Sequence, residues 1–389
     1  MELIREARGL KEDLVRWRRL LHREPELAFQ EHETARMVEE ELRRAGMEPF
    51  RPTETGVAVL LQGGSPGPRV ALRADMDALP IQEEGEKEYL SRRPGVMHAC
   101  GHDGHVAALL GAARLLGRRR RELKGEVLLL FQPAEEMPPG GAQGFIEAGM
   151  LRGVEAVYGL HLWTDLPLGR VGIREGPVMA GAEEFRIRVR GQGGHASQPH
   201  RTVDACLVAA EIVVALQRIV SRTIDPLEPA VVTVGLLQAG SAFNAIAPEA
   251  VMEGTIRYFS EKVREKIYGE MARIVEATCL RAGAEGTLEF RGAYPPLENH
   301  PHPLRLLRRA AEEWLGPEGI EEMRPVMGGE DFAFYAQKVP AALAFVGAGN
   351  PEKGWVYPHH HPRFDFDEEA LPLAAFLYTR AALLHLGAA

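Results

Sequence analysis

Apolar residues recur along this chain with two different spacings, and the spacing indicates where helices and strands lie. Helical spacing, with apolar side chains three and four residues apart, covers residues 2–22 and about 31–45. Farther along, short continuous apolar runs alternate with a helical segment over residues 105–117. These runs cover residues 57–62, 69–74, 126–132 and 154–162. Continuous apolar strands that alternate with helices predict an α/β structure whose sheet is covered on both faces.

In the middle of the chain, the strands instead alternate apolar and polar residues. Residues 183–191 ("EEFRIRVRG") alternate as a half-exposed strand, and the elements after it follow in the order helix, strand, strand, helix, strand. These later elements cover residues 203–220, 230–240, 249–259, 261–281 and 286–292. The resulting β-α-β-β-α-β order is the ferredoxin-like pattern.

After residue 292 the alternation of helices and continuous apolar strands resumes, which indicates that the middle segment is inserted into the α/β domain. A helix is predicted over about 302–315, a strand over 341–347 and a helix near 367–386. We therefore predict an α/β domain with a central mixed sheet, formed by residues 1–180 and 293–389. A ferredoxin-like α+β domain, residues 181–292, is inserted into it.

Composition excludes some function classes. The chain has 389 residues, of which 45% are apolar and 26% charged, as in ordinary globular proteins. The net charge of −9 disfavours a broad nucleic-acid-binding face, so no nucleic-acid partner is expected. The N-terminal segment is charged throughout, without the pattern of a signal peptide or a membrane span. We therefore expect a cytoplasmic protein with no membrane partner.

The cysteines differ in their surroundings. Three cysteines are too few and too scattered for a disulfide scaffold. Cys206 and Cys279 lie in helical patterns, which predicts buried, small apolar residues. Cys100 instead lies in "HACGHDGH" (98–105), a segment that also contains three histidines and an aspartate.

Residues with reactive side chains fall at the ends of the predicted strands. In open α/β sheets the active crevice lies beyond the carboxyl ends of the strands, so these side chains are expected at one edge. Another histidine-rich loop, "YPHHHPRFDFDE", follows late in the chain. The strand-end residues are Asp75, Asp77, Cys100, His102, Glu135, Glu136 and His161.

Each of these residues alone has an ordinary structural explanation, such as a loop cap, a solvated turn or a buried histidine. Together they form the donor set that binds zinc and related divalent ions. There are more candidate ligands than one tetrahedral site can use, and two neighbouring ions would account for the additional ones. Adjacent glutamates can then divide the work, one binding metal and the other taking a proton from water.

The ordered motifs resemble one family over nearly the whole chain. They are "LHREPELAFQEHET", "ALRADMDALPIQE", "VMHACGHDGH", "FQPAEE", "GLHLW", "GQGGHASQP", "FNAIAPEA", "GTIRYF", "GGEDFAFY" and "HHHPRFDFDE". They are similar to the two-metal aminoacylase and carboxypeptidase family, in its amidohydrolase branch. That branch includes hippurate hydrolases, N-acyl-L-amino acid amidohydrolases, auxin-conjugate hydrolases and N-acetyl-diaminopimelate deacetylases. The resemblance implies a zinc-exopeptidase-like catalytic domain and an inserted dimerisation, or lid, domain.

The resemblance also implies roles for individual residues. Glu135 becomes the general base. His360 matches the final ligand because it stands two residues before the proline of "H-x-P-x-F-D", with His359 and His361 as alternatives. The metal ligands it implies are Cys100, His102, Glu136, His161 and His360.

This chain departs from the broader family at two places. The segment "ADMDALP" lacks the histidine that supplies a ligand in relatives, so Asp75 and Asp77 are expected to orient the metal-binding side chains. Cys100 stands where relatives have a bridging aspartate. A thiolate there is expected to favour softer ions and to make the site oxidisable.

Three residues of the inserted domain match positions that contact substrate in relatives. His195 in "GGHASQP" is expected to polarise the scissile carbonyl, in relatives often from the partner subunit. Asn244 and Arg257 match positions that bind the substrate carboxylate or carbonyl, for which an arginine offers a two-pronged grip.

We therefore predict a metal-dependent amidohydrolase that cleaves N-acyl-L-amino acids into a carboxylate and a free amino acid. Glu135 is expected to activate the water held by two divalent ions per subunit; zinc is favoured, and manganese, cobalt and nickel also fit. A homodimer, or a dimer of dimers, is expected. The alternatives are a metallocarboxypeptidase or dipeptidase acting on small peptides, a non-catalytic metal-binding scaffold, and a cysteine hydrolase using Cys100 and His102.

Overall fold

The computed structural model describes residues 1–387 and divides into two compact units. The first unit contains Met1–Val178, Leu297–Pro325 and the chain from Asp331 onward. The second contains Met179–Pro296 together with the short segment Val326–Glu330. No helix within residues 1–387 has the length and apolar character needed to cross a membrane.

The helices and strands are numbered in chain order. The α-helices are α1 (Glu2–Gly9), α2 (Lys11–Arg23), α3 (His32–Arg44), α4 (His102–Arg118), α5 (Gly141–Glu147), α6 (Ala205–Arg218), α7 (Glu261–Ala282), α8 (Pro301–Leu315), α9 (Ala333–Ala336) and α10 (Leu371–His385). The strands are β1 (Val57–Gln62), β2 (Ser65–Asp75), β3 (Lys124–Gln132), β4 (Val154–Pro167), β5 (Val171–Ile173), β6 (Gly176–Met179), β7 (Gly181–Arg190), β8 (Gly194–His195), β9 (Ala230–Ala239), β10 (Ala245–Ile246), β11 (Glu249–Tyr258), β12 (Glu285–Tyr294), β13 (Leu297–Asn299), β14 (Ile320–Glu322) and β15 (Ala341–Gly349).

The first unit is built on a mixed sheet with the strand order β1-β3-β2-β4-β15-β5-β14. Its four central strands, β3, β2, β4 and β15, run parallel, so their carboxyl ends meet at one edge. Antiparallel pairing joins β1 to β3 and β5 to β15. Asp75, the last residue of β2, pairs with Gln132, the last residue of β3, which brings the following loops side by side. The predicted α/β class with a central mixed sheet is confirmed.

Helix α4 lies in the centre of this unit, packed against the sheet and against α2 and α10. Nearly all of its residues are buried, because beyond the polar first turn apolar residues cover almost every side of the helix. At Gly104, a β-carbon would come within 2.4 Å of Leu162 and 2.6 Å of Phe366. The glycine thus permits the N-terminal turn of α4, which begins at His102, to lie directly against β4.

The second unit has a four-stranded antiparallel sheet in the order β12-β7-β11-β9. This is the strand order of a ferredoxin-like fold. The helices α6 and α7 pack together with this sheet. Along β7, Phe185, Ile187 and Val189 are buried while the residues between them are more exposed, as the alternating pattern predicts. The additional strands β8 and β10 form a small separate pair.

Two local predictions were wrong. The predicted helix 2–22 is two helices, because Gly9 ends the first and Leu10 separates it from the second. Cys206 is exposed, not buried. The apolar stripe of α6 runs through Ala205, Val208 and Ala209, and Cys206 lies off that stripe.

A buried charge network connects α2 to the start of α4. The guanidinium of Arg18, fully buried, donates to Asp103 (2.9 Å) and Asp365 (2.7 Å). His22, one turn later, lies 2.7 Å from the same Asp103 carboxylate. Lys87 lies 2.8 Å from Asp365. The network holds the turn that carries His102 against the N-terminal helices.

Asp365→Asn is expected to destabilise the protein by about 3–5 kcal/mol at pH 7, because a buried ion pair loses one partner. Burial raises the pKa of Asp365, but Arg18 and Lys87 lower it to about 2 overall. The unfolded carboxyl has a pKa of about 3.9, so this stabilisation is present above pH 4 and is lost as the pH falls towards 2. Urea unfolding at several pH values should show the difference between wild type and variant shrinking by about 2–3 kcal/mol over that range.

The matched control is Glu369→Gln, since Glu369 forms an exposed ion pair with Lys11. Its effect on unfolding is expected to stay within about 1 kcal/mol at every pH. A difference between Asp365→Asn and wild type that does not change with pH would contradict the assignment of the buried pair.

Candidate active site

Two neighbouring strand ends are joined by a carboxylate. Asp77 follows β2, and its two carboxylate oxygens accept the backbone N–H groups of Glu135 (3.0 Å) and Glu136 (2.9 Å), which follow β3. The loop after β3 is therefore held to the loop after β2. Both glutamate side chains project from this fixed backbone.

His102 is oriented by the same segment. Gly101 adopts a left-handed conformation (φ 85°) that starts α4 and places His102 at its first position. The Nδ1–H group of His102 donates to the backbone carbonyl of Asp77 (2.9 Å), so Nε2 is the ring nitrogen left to face a metal ion. This Nε2 atom lies 3.9 Å from Glu136 Oε1 and 4.0 Å from Glu135 Oε2.

His161, on β4, and His105, on α4, differ in what their ring nitrogens contact. His161 Nδ1 donates to the carbonyl of Leu162 (2.8 Å), which leaves Nε2 at 3.6 Å from Cys100 Sγ. His105 Nδ1 contacts Asp75 (2.6 Å), and its Nε2 accepts the N–H of Leu162 (2.9 Å). Both nitrogens of His105 are therefore engaged, and this residue connects Asp75 to β4.

The three consecutive histidines of the late loop have different surroundings. His360 has a left-handed backbone (φ 66°), and its Nε2 lies 3.2 Å from Glu136 Oε1. His359 Nε2 donates to the Leu162 carbonyl (2.9 Å) and its ring stacks on Trp163. His361 points elsewhere, with its ring stacked on Tyr357. His360 is thus the one of the three that meets Glu136.

The donor atoms assemble into overlapping groups of metal-ligating size. Cys100, His102 and His161 form one group, and Cys100, Glu136 and His360 form another; within each, the donor atoms lie within 4.8 Å of one another. Cys100 belongs to both, which is the arrangement expected of a ligand between two ions. His102 Nε2 is buried and has no hydrogen-bond partner among the described residues. Buried polar atoms are rarely left in this state, so the donor set fits a bound cation.

The electrostatics agree with a site that attracts cations. Burial alone lowers the pKa of His102, but Asp75, Asp77 and Glu136 raise it to about 10 overall. Burial, together with Glu136 and Glu135, raises the pKa of the Cys100 thiol well above its ordinary range. Both pKa shifts arise because several carboxylates lie close together in a buried site. A divalent ion compensates that charge and displaces these protons.

Two residues that support the site received no role from the sequence. Arg73, buried near the carboxyl end of β2, donates to Asp75 (2.6 Å), Asp331 (2.6 Å) and Gln132 (2.9 Å). The backbone N–H of Asp331 in turn points at Glu135 Oε1 (3.4 Å). An arginine inside an apolar strand is a recognisable signal for a buried partner, but its spacing cannot name that partner.

In the second unit, His195 and Asn244 lie close together. His195 on β8 pairs with Ala245 of β10, and the N–H of Ala196 donates to the Asn244 carbonyl (3.1 Å). The His195 ring is exposed, and its Nδ1 accepts the N–H of Ser197 (3.1 Å), so Nε2 carries the proton.

Arg257 does not join this pair. It lies near the far end of β11, eight residues beyond Glu249, or about 26 Å along the strand. Burial lowers the pKa of its guanidinium, and its side chain donates to the carbonyl of Ile256 (2.9 Å). The structure thus brings together two of the three predicted substrate contacts of this unit.

The fold and the donor cluster are those expected of a metal-dependent hydrolase, and the cluster offers candidate ligand groups for bound metal. The chain belongs to Peptidase family M20/M25/M40, whose family model matches residues 71–384. It is accordingly an enzyme that hydrolyses amide bonds with the help of metal ions, and the predicted family and enzyme class are confirmed.

Individual relatives agree with this assignment. The chain is 47% identical to an N-acyl-L-amino acid amidohydrolase of Geobacillus stearothermophilus, over 77% of this chain and 81% of the relative. It is 39% identical to thermostable carboxypeptidase 1 of Saccharolobus solfataricus, over 98% of both chains. Among solved structures, it is similar to the YXEP protein of Bacillus subtilis, described as a dinuclear metal-binding peptidase of the M20 family. That similarity has a TM-score of 0.85 and 36% identity, over 98% of this chain and 100% of the other.

Proposed function

We propose that this enzyme hydrolyses N-acyl-L-amino acids to a carboxylate and a free amino acid. The observation that carries the proposal is the pair of ligand groups that share Cys100, with Glu135 beside them. The name of the relative from Geobacillus stearothermophilus, which matches at 47% identity, supports an acylated amino acid as the substrate.

Two divalent ions would be held by the residues that face one another at this strand edge. Zinc suits a donor set of one thiolate, imidazoles and a carboxylate; manganese, cobalt and nickel can also bind it. When bound, such ions polarise the amide carbonyl and lower the pKa of a water molecule. The proposed ligands are Cys100, His102, Glu136, His161 and His360.

Glu135 is proposed to transfer a proton from the attacking water to the leaving nitrogen. Its Oε1 faces the N–H of Asp331 and its Oε2 faces the His102 side of the cluster. Oε2 takes a proton from the attacking water as the new C–O bond forms. The same carboxyl then gives the proton to the leaving nitrogen as the C–N bond breaks, so that one water is consumed for each amide bond.

His195 is proposed to stabilise the negative charge that develops on the carbonyl oxygen. Because Ser197 occupies Nδ1, the exposed Nε2–H remains available as a donor. Asn244, on the adjoining segment, is proposed as a second substrate contact, and Arg257 as a carboxylate-binding residue. Asp77 is proposed to orient the ligand His102, whose ring donates to its carbonyl. Asp75 is proposed to act through His105, which accepts the N–H of Leu162 beside the ligand His161.

We also propose that the enzyme is a homodimer assembled through the second unit, or a dimer of such dimers. Strand β9 lies at the edge of its sheet and exposes Leu236 and Leu237. An open edge strand with exposed apolar side chains offers a pairing surface. The cytoplasmic location remains a prediction from the sequence.

Chelation is expected to abolish the activity and divalent ions to restore it. The assay measures release of free amino acids from N-acetyl-L-amino acids, N-benzoyl-L-amino acids and dipeptides. The untreated protein, the protein treated with chelator, and the protein reloaded with Zn²⁺, Mn²⁺, Co²⁺ or Ni²⁺ are compared. Activity that survives removal of the metal, or absence of activity on the whole panel, would overturn the proposal.

A carboxypeptidase or dipeptidase is the second candidate. It is favoured by the 39% identity to thermostable carboxypeptidase 1, which extends over 98% of this chain. The same panel separates the two functions, because dipeptides carry a free α-amino group and the acylated amino acids do not. A higher kcat/KM on dipeptides than on every acylated substrate would select the second candidate.

A further inference from the structure

Three consecutive backbone N–H groups of the active-site loop all donate to buried carboxylates. Asp77 accepts those of Glu135 and Glu136. The N–H of Ala134, the residue before them, donates to Glu31 Oε1 at 2.8 Å. Glu31 lies 103 positions earlier in the chain, directly before α3, and its side chain is fully buried.

Ala134 needs such a partner because its backbone is strained. Its φ of 53° is left-handed, a conformation that crowds the β-carbon of any residue except glycine. Among residues 1–387, the other non-glycine residues with positive φ are Phe29 and His360. Glu31 Oε1 also accepts the N–H of Phe29 (3.0 Å), so one oxygen atom supports two strained residues.

Burying the carboxylate of Glu31 costs free energy, so we expect a function that offsets this cost. Burial, and then the nearby charge of Asp77, raise the pKa of Glu31 to about 7. An apolar residue would avoid this cost, but it would leave the N–H of Ala134 without an acceptor. Strained backbone that the surrounding structure stabilises in this way occurs most often at functional sites.

We propose that Glu31 is a positioning residue for the hydrolytic reaction. By holding the left-handed turn at Ala134, it sets the direction in which Glu135 and Glu136 leave the backbone. Glu31 and Asp77 thus act together on three successive peptide groups. The proposal rests on the proposed roles of Glu135 as base and Glu136 as metal ligand.

The same segment of the chain offers a matched control. Glu26 is also a buried carboxylate, and it also accepts two backbone N–H groups, those of Glu33 (3.2 Å) and Thr34 (2.8 Å). These groups belong to the start of α3 and not to the active-site loop. Loss of Glu26 therefore weakens the same region without removing a hydrogen bond from the loop that carries Glu135.

The test compares Glu31→Ala, Glu31→Gln and Glu26→Ala in the full-length protein. Zn²⁺ affinity is measured by calorimetry on the metal-free protein, and kcat and KM are measured on the best substrate. Glu31→Ala is expected to lower metal affinity and kcat by about 10–100-fold each, as loss of residues that orient metal ligands does. KM should change little, because the change acts on the reacting groups and not on substrate binding.

Glu31→Gln is expected to restore most of both quantities, since its amide oxygen can still accept both N–H groups. Glu26→Ala should lower the thermal unfolding midpoint and leave metal affinity and kcat unchanged. Unchanged metal affinity and kcat in Glu31→Ala, or an equal loss in Glu26→Ala, would overturn the proposal.

The experiment remains decisive if Glu31→Ala does not fold and if the wild-type protein hydrolyses none of the substrates. If Glu31→Ala does not fold, Glu31→Asp replaces it; its shorter side chain withdraws the oxygen from Ala134, and an unchanged Zn²⁺ affinity would count against the proposal. If the wild-type protein binds Zn²⁺ but hydrolyses no substrate of the panel, the proposed function fails, and the affinity comparison still decides the role of Glu31.

Discussion

Glu135→Gln is expected to lower kcat by about 10²–10⁴-fold, the range that a general base contributes, while the bound metal content stays the same. Glutamine has nearly the same shape, and its amide oxygen can still accept the N–H of Asp331 that faces Glu135 Oε1. Its backbone N–H can still donate to Asp77. What the variant lacks is a carboxylate that can take a proton from water. Steady-state kinetics and metal analysis of the purified protein measure the two quantities.

Glu136→Gln is the matched control, because the two residues are adjacent and both are held by Asp77. Glu136 is a proposed ligand, so its variant should lose metal affinity, whereas Glu135→Gln should not. Glu135→Gln should therefore lose kcat and keep its metal affinity, whereas Glu136→Gln should lose metal affinity. A Glu135→Gln protein that keeps wild-type kcat, or one that loses its metal, would contradict the assignment of Glu135 as base.

The sequence predicted which segments carry the chemistry, because that part of the problem depends on strand order alone. Parallel strands end at one edge, so Asp77, Glu135 and His161, each near the end of a different predicted strand, are expected to meet. In the structure β4 continues to Pro167, so His161 lies in the middle of its strand and not at the end. In the structure these segments do meet, joined by hydrogen bonds such as those from Glu135 and Glu136 to Asp77. The periodicities of 2 and 3.6 residues that locate strands and helices are local properties of the chain.

The supporting contacts could not be predicted, because they join residues far apart in sequence through geometry that exists only after folding. Arg73 and Asp331 are 258 positions apart, and no spacing rule relates them. Similarly, Glu31 was part of a family-like motif, yet its partner Ala134 contributes only a backbone N–H. Since every residue except proline has a backbone N–H, the amino-acid type at position 134 does not reveal this contact.

The three histidines of the late loop show the same limit at short range. His359, His360 and His361 are chemically identical, and the sequence favoured His360 only through a family pattern. The structure separates them by backbone conformation, since the left-handed φ of His360 turns its ring towards Glu136 and its neighbours stack on aromatic rings. Sequence identifies the residue type, and the local fold determines which copy reaches the site.

Cys100→Ser is expected to lower metal affinity by more than the roughly 10–100-fold that follows loss of an orienting residue, because Cys100 belongs to both ligand groups. A serine hydroxyl is a far weaker ligand than a thiolate. Calorimetry with Zn²⁺ measures the affinity. In Co²⁺-loaded protein, near-ultraviolet charge-transfer absorption from the thiolate should be present in wild type and absent in the variant. Cys206→Ser, at an exposed cysteine of the second unit, should change neither quantity.

Cys100→Asp distinguishes a metal ligand from a catalytic nucleophile. If Cys100 binds metal, a carboxylate can replace it, and activity should return with a shift in preference towards Mn²⁺, a harder ion. If Cys100 were a nucleophile paired with His102, the aspartate variant would be inactive with every ion and the wild type would survive chelation. Burial and the two nearby glutamates raise the pKa of the thiol and so oppose the free thiolate that a nucleophile would need. A cation beside Cys100 removes that obstacle, because it stabilises the thiolate that the surrounding carboxylates disfavour.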